Sequence, residues 1–161
     1  MSAMTNTFEM KLGIISINDA IKKYFEHYPD DILTKFRLAH KGPFYKYSFM
    51  GNDGKKRHLL KLNAQTGDII KNTVKVLKPK HRNPVRRKAR KLNLKKMLPF
   101  SEINAIASNV SSVSTPIQWK LGRKRERTLW KVKITDERGA NMHEVKLDAQ
   151  DGSLLQMKLK I

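Results

Sequence analysis

The chain has 161 residues, of which 34 are Lys or Arg and 14 are Asp or Glu, giving a formal net charge of +20 at pH 7. It has no cysteine, which excludes disulfides, thiolate metal sites and cysteine nucleophiles. Its charge favours association with polyanions such as nucleic acid, teichoic acid or an anionic membrane surface. No run of about 18 apolar residues occurs and no signal segment is recognisable at its start, so we expect no transmembrane segment in this chain.

The sequence contains an internal repeat of one unit. A shift of roughly 85 positions aligns 16–76 with 101–161 without a gap, with about 14 identities. The alignment predicts an N-terminal lead-in at 1–15, a first repeat at 16–76, a basic linker at 77–100 and a second repeat at 101–161.

Each unit opens with a predicted helix. Ser16 and Asp19 form a capping pattern, apolar residues follow at helical spacing, and Pro29 ends the helix. In the second unit the helix starts at Ser101, and Pro116 marks its exit. The apolar stripe of this second helix is predicted to consist of Ile103, Ala105, Ile106, Val110 and Val113.

After each helix the apolar period changes from 3.6 to 2, which predicts three half-buried strands and a fourth strand or tail. Tyr45, Tyr47 and Phe49 define the second strand, and the gapless alignment places Trp130, Val132 and Ile134 at the same positions. We expect these side chains to lie in a core rather than on an aromatic nucleic-acid platform. Two hairpin turns are predicted at Asn52-Asp53-Gly54 and Glu137-Arg138-Gly139.

These elements predict an α+β fold of two repeated small units, each with one helix packed on a three- to four-stranded antiparallel sheet. A unit of about 60 residues buries little of its surface, so we expect the copies to pack together or to share a sheet edge.

The final strand and turn of the second unit, Leu147 to Leu154, have the form Leu-Asp-Ala-x-x-Gly-x-Leu, and Leu62 to Ile69 of the first unit follow it with Asn63 in place of Asp and Ile69 in place of the last Leu. With the opening helix and the aromatic second strand, the chain resembles a tandem pair of PepSY domains. The resemblance implies a non-catalytic protein of the bacterial cell envelope that binds or restrains a peptidase or another surface protein. It also implies an extracytoplasmic location, with a signal or anchor removed; a cytoplasmic location is the alternative.

No residue pattern predicts an enzyme, a cofactor site or a metal site. His58 and His143 recur at one position, but they share strand parity with core residues and lack the converging ligands that zinc needs. Asp148 and Asp151 flank a turn, where a side-chain-to-backbone bond is favoured over calcium binding.

Basic segments give an alternative function, that of a polyanion-binding protein for nucleic acid, teichoic acid or an anionic membrane surface. The residues lie in the linker and in one loop of the second unit, and phosphate contacts are their expected role. The candidates are Lys80, Arg82, Arg86, Arg87, Lys88, Arg90, Lys91, Lys95, Lys96, Arg123, Lys124 and Arg125.

Overall fold

The computed structural model describes residues 8–41, 43–109, 115–135 and 142–160. It contains one antiparallel sheet of eight strands in the order β4-β3-β2-β1-β5-β6-β7-β8. The strands are β1 (Ile32–Lys41), β2 (Phe44–Asn52), β3 (Lys56–Asn63), β4 (Ile69–Val76), β5 (Thr115–Lys124), β6 (Arg127–Thr135), β7 (Met142–Asp148) and β8 (Leu154–Lys160). The helices are α1 (Phe8–Leu12), α2 (Ile17–His27), α3 (Pro84–Arg90) and α4 (Phe100–Asn109), with a 3₁₀ turn at Pro79–His81.

The predicted fold of two repeated helix-on-sheet units is wrong. Strand β1 pairs with β5 through the register Phe36↔Leu121 and Arg37↔Lys120, so all eight strands form a single sheet. Separate sheets would leave β1 and β5 as unpaired edges, and each half would be near the lower size limit for a stable core. Their pairing removes two edges and joins the apolar faces.

The gapless alignment of the two halves is also wrong by two residues over part of its length. Tyr47 pairs with Leu62 in the first half, and Trp130 pairs with Leu147 in the second, so Tyr47 corresponds to Trp130 and not to Val132. The β6–β7 hairpin explains the slip. Four residues separate the paired Asn52 and Arg57, whereas six separate Thr135 and Met142.

One core lies between the sheet and helices α1, α2 and α4. Phe36, at the centre of the sheet, contacts Trp130 at a ring-centroid distance of 6.0 Å and Phe49 at 5.1 Å, so it joins the two halves. Phe8 of α1 packs edge-on against Phe100 of α4 at 5.4 Å. The expectation that the aromatic second strand lies in the core is confirmed, because Tyr47 and Phe49 are fully buried.

Local signals place several elements as predicted. The Ser16 side chain accepts a hydrogen bond from the Asp19 amide at 3.0 Å, which caps α2. The Asp148 carboxylate accepts bonds from the Gln150 and Asp151 amides at 2.8 and 3.1 Å, which confirms the predicted turn bond. The expected roles of Val110, Val113, Glu137, Arg138, Gly139 and Ile161 lie outside the described residues.

The segment 77–100 runs along the end of the sheet. The segment contributes to the core through Phe100 at its end and through two earlier buried residues, Leu77 and Leu92. The Leu92 amide donates to the Leu33 carbonyl at 2.9 Å, which fixes the segment between these two leucines to the sheet. Helix α3 lies between them and contains no buried residue.

We predict that Phe36→Ala destabilises both halves together, by about 3–5 kcal/mol, because the ring fills the junction of β1 and β5. Urea unfolding should remain one transition, with tryptophan fluorescence and far-UV circular dichroism changing at the same midpoint. Both tryptophans, Trp119 and Trp130, belong to the second half. A fluorescence midpoint left unchanged while the dichroism shifts would show that the halves unfold independently.

Candidate functional site

The face of the sheet opposite the helices is polar and basic. Alternate residues of a strand point to opposite faces, so the neighbours of buried Phe36 and Leu38 on β1 point away from the core. These neighbours include Lys35 and Arg37, both exposed. The same alternation on the other strands places most of their lysines on this face, which we call the open face.

The strand register aligns six cations in one line across the open face. Arg37 lies opposite Ser48 on one side and Lys120 on the other, and the line continues outward from both in register. We call its six cations the cationic row; Ser48 and Gln156 occupy the other two strands. In spatial order the eight positions are Lys71, Lys61, Ser48, Arg37, Lys120, Lys131, Lys146 and Gln156.

The cationic row is perpendicular to the strands. Neighbouring strands are about 4.8 Å apart, so the six steps from Lys71 to Lys146 give a row of about 29 Å. The two halves of the sheet contribute to the row in the same way. In the first half, Arg37 pairs with Ser48, which pairs with Lys61 on the next strand. In the second half, Lys120 pairs with Lys131, which pairs with Lys146 on the next strand. The row therefore exists only because β1 and β5 join.

A less polar line of residues follows the cationic row on one side. It includes Met50, Leu59 and Leu129. Gly122 lies in the same line, and a Cβ atom added there would have no neighbouring atom within 4 Å. Together with Lys35 and Lys120, these residues line a shallow groove at the centre of the open face. The groove gives a bound polymer an apolar surface beside its charged contacts.

Burial and mutual repulsion both act on the lysines of this face. Burial and then the charges of Arg37, Lys133 and Lys131 lower the pKa of Lys120 below its ordinary value. The pKa of Lys146 is lowered in the same way, by burial and then by Lys131, Lys124 and Lys158. A bound anion would relieve this repulsion.

Among the described residues of the open face, the acids offset the charge of the row only in part, since Glu144 opposes the lowering of the pKa of Lys120 and Lys146 without reversing it. Asp148 is buried, holds the turn that follows β7, and lies 3.4 Å from Arg127. Glu144 is also buried, and its register places it between Lys133 and Lys158, one line away from the row.

The structure divides the twelve basic residues predicted to bind polyanions into two groups. Arg82, Arg87 and Arg123 donate to backbone carbonyls, those of Leu77, Asn52 and the linker, so their guanidinium groups hold the segment in place. The other nine are exposed. They are Lys80, Arg86, Lys88, Arg90, Lys91, Lys95, Lys96, Lys124 and Arg125.

The sequence prediction therefore missed the cationic row, although a signal was present. Lysine or arginine recurs at every second position in several strands, as at Lys35 and Arg37 or at Lys131 and Lys133. Such alternation predicts a basic face on each strand. The alignment of those faces into one line depends on the register between strands, which the sequence alone does not provide.

A second polar cluster lies under the end of α2. The His58 Nδ1 atom is 2.6 Å from Asp31 Oδ2, and the Tyr24 hydroxyl donates to the same oxygen at 2.6 Å. The Tyr28 ring stacks on the His58 ring with centroids 3.8 Å apart. Burial and then the bond to Asp31 raise the pKa of Tyr24, so its hydroxyl stays protonated and continues to donate. His143, the recurring histidine, is only half-buried.

This cluster supplies the one group in the described part of the chain with three side chains that could hold a metal ion. Ligand atoms of Asp31, Asp53 and His58 lie within 4.8 Å of one another. Asp31 and His58 are buried and bonded to each other, whereas Asp53 is exposed and accepts bonds from the Lys55 and Lys56 amides. Each of the three side chains thus already has a hydrogen-bond partner within the protein, which favours a structural network.

No protein-family model matches the chain, and no curated protein matches its sequence. A solved structure of a protein from Clostridium difficile 630, described as a "putative lipoprotein", is similar with a TM-score of 0.86. That similarity covers 97% of this chain and 100% of the other, at 21% identity, and it shows a shared fold. The YpmB protein from Bacillus subtilis matches with a TM-score of 0.39, at 16% identity, over 91% of this chain and 99% of its own.

Among the described residues, no helix combines the length and the apolar character that crossing a bilayer requires.

We predict that Asp31→Ala lowers the free energy of unfolding by about 3 kcal/mol, because His58 and Tyr24 lose their shared partner in a buried site. The matched control, Asp53→Ala, removes an exposed carboxylate and should cost at most about 1 kcal/mol. Urea unfolding followed by fluorescence measures both.

A zinc titration of the unmutated protein separates the structural network from a metal site. We expect no change in melting temperature at zinc concentrations up to stoichiometric excess. A rise in melting temperature that Asp53→Ala abolishes would identify the cluster as a metal site and contradict the structural assignment.

Proposed function

We propose that this protein is a non-catalytic binding protein of the bacterial cell envelope whose open face holds a linear anionic polymer. The observation that carries the proposal is the cationic row, in which six of the eight strands place a lysine or arginine at one register position. A line of cations about 29 Å long matches an extended polyanion better than it matches a small anion. The net charge of +20 favours the same class of ligand.

Recognition by such a row is electrostatic and independent of monomer sequence. Lysine ammonium groups bind phosphates as point charges, and contacts of that kind position a polymer without reading its side groups. Teichoic acid, polyphosphate and single-stranded nucleic acid share the required chemistry of regularly spaced phosphates on a flexible chain.

Two similarities to other proteins, one of structure and one of sequence, support the envelope location. The protein from Clostridium difficile that shares the fold is described as a "putative lipoprotein". The resemblance to PepSY modules implies the same compartment. In that compartment teichoic acid is the linear phosphate-containing polymer that is available to a basic sheet, so it is the ligand that we favour.

A second candidate function is the binding or restraint of a peptidase or another surface protein, as the PepSY resemblance implies. The specific observation in its favour is the state of the two outer strands. Large apolar side chains are exposed on both β4 and β8, for example Val76 at 69% and Leu154 at 55%. Exposed edges of this kind are binding sites for extended protein segments.

We predict that the triple variant Arg37→Gln, Lys120→Gln, Lys131→Gln binds polyphosphate, teichoic acid and oligothymidylate more weakly than the unmutated protein. If six cations contact a single-stranded polyanion, the slope of log affinity against log salt should be about −4, and the variant should show about −2. Affinity should fall at least tenfold at low salt for all three polymers, as measured by fluorescence anisotropy.

The matched control is the triple variant Arg86→Gln, Lys88→Gln, Arg90→Gln, which removes the same charge from the exposed face of α3. Its affinity and salt slope should stay close to those of the unmutated protein. If the α3 variant loses binding and the row variant does not, the linker is the binding site and the proposal for the open face fails. Strong preference for one nucleic-acid sequence would also contradict it.

A further inference from the structure

The edge strands carry most of the exposed apolar side chains. Nine large hydrophobic residues are exposed in the described part of the chain, and seven of them lie on β4 or β8. Strand β4, which is described over its whole length, contributes Ile69, Ile70, Val74 and Val76. Exposure of single apolar residues is ordinary, but their concentration on a strand that also has unpaired backbone groups marks an interaction site.

Strand β4 has two chemically different faces. Val74 and Val76 lie opposite His58 and Lys56, on the side of the helices. Lys71 and Lys75 lie opposite Lys61 and Arg57, on the open face. β-Branched and cationic residues alternate at Val74, Lys75 and Val76, and the polar residues Asn72 and Thr73 separate this stretch from Lys71.

The helices leave part of this edge uncovered. The Tyr28 hydroxyl at the end of α2 donates to Asn72, so the helix contacts β4 at that residue without burying the strand. Val74 and Val76, which come later on the strand, are 50% and 69% exposed. Within the part of the chain that the structure describes, the uncovered apolar patch and the outer edge of the sheet thus occupy the same stretch.

We propose that the edge of β4 accepts an extended segment of a partner protein as a ninth strand, and that acidic and β-branched residues alternate in this segment. The added strand would pair its backbone with β4, place its apolar side chains beside Val74 and Val76, and place its acids beside Lys71 and Lys75. The inference rests on the second candidate function, because it names the surface and the partner chemistry that protein binding would use.

The lysines of β4 favour a partner protein over a second copy of this chain as the added strand. Two β4 strands placed edge to edge in antiparallel fashion would bring Lys71 and Lys75 of one copy close to the same lysines of the other. Pairing of β4 with β8 would bring them close to Lys158, which lies on the same face. Like charges opposite each other destabilise a strand pair, whereas acids there stabilise it.

The experiment uses three labelled peptides with the full-length protein at moderate salt. One is an eight-residue peptide of alternating Glu and Val, the second has the same composition in two blocks, and the third alternates Lys and Val. We expect the alternating acidic peptide to bind at least tenfold more tightly than the other two. Hydrogen exchange should show protection of β4 amides on binding, since an added strand bonds to the backbone.

Two variants test the assignment to β4. Lys71→Glu with Lys75→Glu should reverse the preference, so that the alternating Lys/Val peptide binds more tightly. The control, Arg37→Gln with Lys120→Gln and Lys131→Gln, weakens the cationic row but should leave binding of the alternating acidic peptide within about threefold. That control separates edge pairing from general attraction to the open face.

Several results would overturn the inference. These are equal binding of the alternating and block peptides, an unchanged preference in the Lys71/Lys75 variant, or a lack of protection in β4. Self-association of the protein through β4 at micromolar concentration would assign the edge to a second copy instead. Restraint of a peptidase, measured separately, would still stand if the peptides failed to bind, and it would then require another surface.

Discussion

The pairing of β1 with β5 is the constraint on which the rest of the structure depends. It brings Phe36 into contact with both halves of the core and aligns Arg37 with Lys120 on the opposite face. Without this pairing each half would have a narrow sheet, an additional exposed edge and only part of the cationic row. The same backbone hydrogen bonds thus create both the continuous core and the continuous basic surface. A substitution that weakened the junction would therefore affect stability and binding together.

Burial on one face of the sheet is what allows the other face to be so basic. Side chains such as Trp119 and Val132 have no exposed surface, and their burial stabilises the sheet from the helical side. The open face contributes repulsion instead, because after burial it is the neighbouring cations that lower the pKa of Lys120 and Lys146. Unrelieved charge of one sign destabilises a folded chain, so a ligand that neutralises the row also stabilises the fold. Stability and binding are linked through these same lysines.

Features that depend on residues close in sequence could be predicted from the sequence. The Ser16 cap and the Asp148 turn follow from side-chain-to-backbone bonds within three residues. Pairing of β1 with β5 could not be predicted in this way, because no turn connects these strands and the residues that pair are far apart along the chain.

The error in the sequence alignment of the two halves has a related cause. Identities near Gly67 and Gly152 set an offset that holds after the hairpin, but the longer β6–β7 connection shifts Trp130 into the place of Tyr47. The buried Asp31 escaped notice because its partners, Tyr24 and His58, come from separate elements.

The two proposed surfaces share one residue, and this has a thermodynamic consequence. Lys71 is the last cation of the row and also belongs to the edge strand β4. An acidic segment paired with β4 would satisfy Lys71, and a polyanion spanning the whole row would compete for the same ammonium group. Each ligand should therefore weaken the other, and by linkage the two effects must be equal in free energy. Because five cations of the row lie away from β4, the competition should be partial, with a polymer shifting toward Lys146 when the edge is occupied. Titration of each ligand at saturation of the other measures this coupling, and fully independent binding would show that the polymer does not extend to β4.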